Sequence, residues 1–176
     1  MNVSDVGVTV QNIQKMNKIY VISDSHFDHS NMVKWALRPE GFSELIWTGL
    51  DTLPDDAILI HLGDITMGDD KTVHERLAKY KFKKWLVRGN HDNHSVTWYV
   101  ANGWDSVCDE MVLELFGHNI LLSHIPKPKR EGISKNIHGH LHGGKSRSRP
   151  NFYDETYHFE VCPEVIGYQP AKLGSQ

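Results

Sequence analysis

Five short stretches of the chain carry groups that bind divalent cations and move protons. They are Asp24-Ser25-His26, Gly63-Asp64, Gly89-Asn90-His91-Asp92, Ser123-His124 and Gly139-His140-Leu141-His142. Carboxylates, one carboxamide and imidazoles form a hard-to-borderline donor set suited to manganese, iron, zinc, nickel or cobalt, without the thiolates that softer metals favour. Two carboxylates brought together repel unless a cation lies between them, so a site that gathers Asp24 and Asp64 calls for one. Of the 12 histidines, seven (His26, His29, His91, His124, His138, His140 and His142) lie in or beside these stretches, as metal or acid–base chemistry would place them. Each stretch alone has a plain structural reading: Asp24 as a helix cap, Asn90 as a turn residue, His140 and His142 as loop histidines. The five together point to one assembled site, and a centre of two metals about 3.5–4 Å apart that share a carboxylate suits the hydrolysis of phosphate esters.

The elements that must position these groups are legible from apolar runs and turn residues. Lys18–Ser23, Ala57–His61 and Lys84–Arg88 read as strands, and each is followed at once by a ligand stretch. Between them the pattern predicts helices: Ser30 to about Leu37, closed by Arg38-Pro39; one from near Ser43; Thr72 to Tyr80; and Ser95 to Asn102, capped by Ser95. Strand alternating with helix predicts a parallel sheet with crossover helices, whose sites form at the carboxyl ends of the strands. The second half changes to short strands at 111–116, 119–123, 135–137 and 157–161, with Gly117-His118 as a hairpin turn. The fold class expected is α/β, with either one mixed sheet or two sheets packed together and flanked by helices. Residues 143–156 lack periodicity and read as a mobile loop; residues 1–16 precede the first core strand as an extension, leaving 17–176 as one domain. Gly63, Gly89 and Gly139 adjoin ligands, where tight turns and close backbone approach are needed.

Composition narrows the class. A chain of 176 residues with 39% hydrophobic content supports a single domain with a real core. No apolar run approaches the ~20 residues that span a bilayer, and the first residues lack the pattern of a signal peptide. Cys108 and Cys162 form no redox or metal spacing, which favours a reducing, cytoplasmic setting. The net charge of −3 hides a local excess: residues 124–149 hold seven Lys/Arg against Glu131 alone, a stretch of +6 that contains the last two ligand motifs. Positive charge there favours an anionic substrate.

The five blocks, in this order, resemble the calcineurin-like metallophosphoesterase superfamily. The run from Ser23 to Asn31, Arg38-Pro39 and Tyr168-Gln169-Pro170 also resemble a small single-domain branch found in bacteria and phages. The resemblance implies an αββα sandwich and two divalent metal ions, manganese foremost in vitro, with iron, zinc, nickel or cobalt as alternatives. It implies that Asp24, His26 and His142 bind one metal, that Asn90, His124 and His140 bind the other, and that Asp64 bridges. A hydroxide shared by the metals would attack phosphorus, with the pKa of its parent water brought from 15.7 towards about 7. His91 would act as general acid, worth roughly 10²–10⁴-fold. One departure stands out: the bridging motif often continues as Gly-Asp-x-x-Asp, and here it reads Gly63-Asp64-Ile65-Thr66-Met67.

Outside the motifs, His29 and Arg38 are candidate substrate contacts, with the cations at 127–130 and 145–149 as further candidates. Asp92 is expected to support the ligands. His61 and His138 read as structural, and His74, His94, His118 and His158 as surface residues. The tryptophans read mostly as packing residues. The function expected is a phosphoesterase acting on a small phosphomonoester or phosphodiester, nucleotides or cyclic nucleotides favoured. The alternatives are a nuclease, supported only by the basic stretch, and a catalytically silent scaffold, which the intact ligand set and His91 disfavour. No membrane partner is expected.

Overall fold

The structure, a computed structural model, describes residues 18–174. The expected extension over residues 1–16 lies outside the described residues. The first half alternates strand and helix: β1 (Ile19–Ile22), α1 (Met32–Trp35), α2 (Phe42–Asp51), β2 (Ile58–His61), α3 (Asp70–Leu77), β3 (Lys83–Val87), α4 (Val96–Ala101) and β4 (Ser106–Cys108). The second half is β5 (Glu110–Leu115), β6 (His118–Ser123), β7 (Lys135–His138), a single 3₁₀ turn at His142–Gly144, β8 (His158–Glu160), α5 (Pro163–Ile166) and β9 (Ala171–Leu173).

These strands form two mixed sheets. One has the order β4-β3-β2-β1-β9, with β1 to β4 parallel and β9 antiparallel to β1. The other has the order β5-β6-β7-β8, antiparallel between β5 and β6 and parallel from β6 to β8. Ile19, Val21, Ile58, Ile60 and Val87 face the second sheet and meet Met111, Leu113, Leu122 and Ile137. Ile22, Leu59 and Leu86 point the other way, into a core with Phe42, Ile46, Leu50, Val73 and Leu77 from the helices. Strands buried on both faces read as continuous apolar runs, which is why β1 and β2 stand out in the sequence. Each fully buried Ile or Leu contributes about 1.5–3 kcal/mol.

The α/β architecture is the one expected, but its flanks are uneven. The helices α1 to α4 cover the first sheet, whereas part of the second sheet is covered by the segment after His142. There Tyr153 stacks on His158 at 4.6 Å between ring centres, and its hydroxyl meets His138 Nε2 at 3.2 Å. The first helix is shorter than the sequence suggests: it ends at Trp35, and Leu37 takes a positive φ of 55° just before Arg38 and Pro39. The three-residue strands β4 and β9 and the one-turn α5 are too short to show a period, and the sequence pattern missed them. Among the described residues no helix is long and apolar enough to cross a membrane. Cys108 and Cys162 are both free thiols.

Two histidines expected on the surface are buried. His158 lies between Tyr153 and Tyr157 and its Nε2 bonds the Lys127 carbonyl at 2.9 Å. His74, 1% exposed, lies on the inner side of α3 against Trp98, Tyr99 and Trp104, with ring centres 5.0, 5.5 and 6.1 Å away. Conversely, Trp35 does not pack inside; it is 53% exposed.

Burial pushes the His74 imidazole down from 6.5 to about 4, against the opposing charge of Asp70. The unfolded chain therefore takes up this proton at higher pH than the folded one, so the stability tied to neutral His74 is complete above pH 6.5 and is lost as pH falls toward 4. His74→Phe removes the proton site and keeps a ring there. In urea unfolding the variant gains stability relative to the parent as pH falls through that window; parallel pH dependences would contradict this account.

Candidate metal centre

Each ligand stretch begins where a parallel strand ends. Asp24 and His26 follow β1, Asp64 follows β2, Asn90 and His91 follow β3, His124 follows β6, and His140 and His142 follow β7. The carboxyl ends of both sheets thus open on one crevice. Backbone bonds tie the loops together: Asp24 N–H to the Gly63 carbonyl at 2.8 Å, His26 N–H to that of Asp64 at 3.1 Å, and Gly139 N–H to that of His124 at 2.8 Å.

The local backbone is strained. Asp24, His26, Asp64, His140 and His142 all have positive φ, from 44° to 72°. A non-glycine residue there costs about 1–3 kcal/mol and persists only where its surroundings fix it. Asp92 fixes one loop: its buried carboxylate accepts the N–H groups of Gly89, Asp64 and Ile65 at 2.7, 2.8 and 3.2 Å. Burial nevertheless pushes the Asp92 carboxyl up. His61 fixes the same region from below: its Nδ1 accepts the Gly63 N–H at 3.1 Å, and its Nε2–H donates to Ser25 Oγ at 2.8 Å. Burial drives His61 down to about 3, so it stays neutral.

Arg38 fixes the other loop, and here the structure corrects the sequence reading. Its guanidinium donates to the carbonyls of Asp24 and Ser25 at 2.6 and 2.7 Å, and its Nε–H to Glu164 Oε1 at 3.0 Å. At 2% exposure it lies behind the ligands and has no face for substrate. Glu164 Oε1 also accepts the Nδ1–H of His142 at 2.9 Å, which turns His142 Nε2 towards the centre. No motif or periodicity marks Glu164, which sits in an unpatterned stretch; a carboxylate behind a ligating histidine is a recurrent support.

The ligand atoms converge in two sets. Asp24, His26 and His142 form one, and Asp64, His124 and His140 the other, with the ligand atoms of each set within 4.8 Å of one another. Asn90 joins the second set, its Oδ1 3.1 Å from His124 Nε2. Asp24 Oδ2 is taken by the Ser23 hydroxyl and, at 2.8 Å, by the His140 N–H. Its Oδ1 has no hydrogen-bond partner among the described residues and faces His142 Nε2 at 3.4 Å and His26 Nε2 at 3.7 Å. Asp64 repeats this division: Oδ1 accepts the His91 N–H at 2.9 Å, and Oδ2 lies 3.4 Å from His124 and 3.7 Å from His26, one histidine of each set. A third group of donors, His142, Cys162 and Glu164, is already spent on the bonds to Arg38 and His142 and on Cys162 beneath Asp24.

Charge follows geometry. Burial opposes ionisation of Asp24, yet the imidazoles of His124, His26 and His142 hold its carboxyl well below the usual range. Burial likewise would lower His124, but Asp24 and Asp64 raise it to about 9. Burial, and then the charge of His124, push His140 down to about 4. A buried carboxylate oxygen without a partner, inside a ring of imidazole nitrogens, is what a divalent cation satisfies, and the residues present fit one. Gly139 is glycine for a steric reason: a Cβ there would stand 1.9 Å from Ser23 Oγ and 2.1 Å from Asp24 Oδ2.

His91 stands apart from both sets, half exposed, with Nε2 3.9 Å from Asp64 Oδ2 and its ring 5.7 Å from that of His26. Among the described residues no other carboxylate reaches it. His29 and Arg147 share with it a cavity of about 130 Å³ that opens over the ligands. Four of the seven cations of the basic stretch are paired with three acids: Lys127 and Arg130 share Glu110 and Lys129 meets Asp154, each at 2.7 Å, and Arg149 meets Glu155. His138 is structural, buried with its ring nitrogens on the Gly139 carbonyl and Tyr153.

Fold and site together define a two-sheet α/β protein with Asp/His clusters suited to divalent metal at the ends of its strands. The chain belongs to the calcineurin-like phosphoesterase superfamily, whose domain it matches over residues 17–152. It is 29% identical over 170 residues to an uncharacterized protein of Methanocaldococcus jannaschii, covering 90% of this chain and 88% of that one. The crystal structure of a protein of unknown function from Aquifex aeolicus superposes with a TM-score of 0.68 at 27% identity, over 87% of this chain and 94% of that one. A nuclease of Pseudomonas putida gives a TM-score of 0.45 at 19% identity, over 71% and 62% of the two chains. The family supports a metal-dependent phosphoesterase.

Glu164→Gln tests the support behind His142. It keeps an acceptor for the Nδ1–H and removes the charge. Manganese titration followed by electron paramagnetic resonance should show affinity at one site about tenfold weaker; unchanged affinity would leave Glu164 with a purely structural part.

Proposed function

We propose that the protein is a dinuclear metal phosphohydrolase acting on a small phosphoester, with nucleotides favoured over nucleic acid. The observation that carries this reading is the position of Asp64 Oδ2, within 3.4–3.7 Å of one histidine from each donor set. Divalent cations held by Asp24, His26 and His142 on one side and by Asn90, His124 and His140 on the other, with Asp64 shared, would supply Lewis-acid charge and an acidified water, with manganese the metal we expect in vitro.

The remaining steps belong to side chains of the chain. His91 is committed to neither donor set and borders the same cavity as the shared carboxylate, so it is placed to donate a proton to the leaving oxygen. Asp64 Oδ1 accepts the backbone N–H of His91 and so fixes the distance between that proton donor and the ligands. Arg147 and His29, on the cavity wall, are placed to bind phosphoryl oxygens. Glu110, Asp154 and Glu155 offset about half of the excess charge of the basic stretch, which weakens the main support for a nuclease.

Two variants separate the roles. Asp64→Ala loses metal and turnover together. His91→Ala keeps its metal, measured by elemental analysis, and loses roughly 10²–10⁴-fold in kcat, more for an alkyl than for a p-nitrophenyl leaving group. The proposal fails if the manganese-loaded protein cleaves no phosphomonoester or phosphodiester, or if Asp64→Ala is as active as the parent.

A further inference from the structure

The mouth of the metal centre is apolar on two sides, and the phosphoryl chemistry does not use that surface. On one side the cavity over the ligands is walled by Met32, Trp35 and Met67. Trp35 is 53% exposed and Met67 41% exposed, and Trp35 meets the His29 ring edge-on at 5.4 Å. Met67 occupies the position at which the Gly-Asp-x-x-Asp motif carries a carboxylate, so an anionic group is replaced by an apolar one at the rim. On the other side lies an open shelf of about 470 Å³, larger than the cavity over the ligands. Leu141, Pro126 and Pro150 line it together with Ile125 and Phe152, which are 41% and 43% exposed.

Two residues join the shelf to the metal centre: His140 and Arg147 line both. Lys127, Lys129, Arg130 and Arg149 are all paired with carboxylates; of the basic residues of this stretch without a carboxylate partner among the described residues, Arg147 is the one that lines the cavity and the shelf. A free guanidinium at the boundary can meet a phosphoryl oxygen while its flat face lies beside a planar group. Large apolar side chains gathered at the mouth of a polar site mark a surface that something covers. The substrate is the occupant continuous with that site.

We propose that the substrate is a small phosphodiester with a planar group on each side of phosphorus, one against Trp35 and the other on the Phe152 shelf; this rests on the phosphoesterase reading above. A planar, nucleobase-like group suits both places, because an aromatic face stacks on any base and Arg147 adds a cationic plane. The sides are not equivalent. His91 borders the cavity that Trp35 walls and does not border the shelf. The group that leaves therefore lies on the Trp35 side, where His91 protonates its oxygen as the ester P–O bond breaks and water supplies the new one. The group that stays on phosphorus lies on the shelf.

Three substrates releasing the same p-nitrophenolate test this: the monoester, the methyl p-nitrophenyl diester and the bis(p-nitrophenyl) diester, assayed with the manganese-loaded protein. The parent should prefer the bis ester to the methyl ester by about tenfold in kcat/KM. Phe152→Ala should raise KM for the bis ester by roughly five- to tenfold with kcat nearly unchanged and leave the methyl ester alone, as loss of uniform binding requires. Phe152→Tyr should restore it, and Trp35→Ala should weaken both diesters alike. Phe159→Ala, an exposed ring on β8, should change nothing. The proposal is overturned if Phe152→Ala leaves the ratio of the two diesters unchanged, or if the monoester is the best substrate; continued turnover in either case leaves the metal centre standing. No turnover of all three would remove the phosphoesterase reading itself, and this inference with it.

Discussion

Two buried carboxylates, Asp24 and Asp64, face the same small space, and their repulsion organises the rest of the site. Neither can be neutralised cheaply by water, because both are buried. The protein satisfies one oxygen of each with its own donors and turns the other oxygen inward. Around those inward oxygens stand imidazoles, and the carboxylates pull a proton onto His124 to the point of raising it to about 9. The centre thus demands positive charge before any ligand arrives. A metal must compete with that proton, so metal affinity and pH are linked in this molecule.

This electrostatic demand is met only if strained loops hold their shape. Five residues of the candidate metal centre sit in left-handed backbone, and the groups that hold them come from distant parts of the chain. Arg38 and Glu164, 126 residues apart in sequence, meet behind β1 and fix both the Asp24 loop and the His142 ring. Asp92 does the same for the Asp64 loop with three backbone bonds. Removing one partner of the buried Arg38–Glu164 pair would cost about 3–5 kcal/mol, because a charge is left behind without its counterpart. The two-sheet core is what makes this affordable: β1, β2 and β3 are buried on both faces and deliver their carboxyl ends as a rigid rim.

The legible parts of the sequence were the local ones. Ile58-Leu59-Ile60 reads as a doubly buried strand because both its faces are apolar, and Gly63-Asp64 reads as a ligand loop because it follows at once. Ser95 reads as a cap and does accept the Trp98 N–H at 3.1 Å. What could not be read depends on partners far along the chain. Arg38 looked like a cation for substrate, and only its distance to Glu164 shows it to be a brace. His74 shares the inner face of α3 with Val73 and Leu77, but its polar type hides its burial among three aromatic rings from α4 and the loop after it. The strands β4 and β9 have three residues each, too few for a period, and form because β3 and β1 offer them edges. The evenly basic look of residues 124–149 is likewise reduced by Glu110 and Asp154, one of which comes from before the stretch and the other from after it.

The central claim is that Asp64 is shared by two metal sites. Crystals grown with manganese and measured for anomalous scattering test it directly. The account predicts two peaks, one among Asp24, His26 and His142 and one among Asn90, His124 and His140, with an oxygen of Asp64 in reach of both. A single peak, or two peaks of which only one touches Asp64, would contradict it.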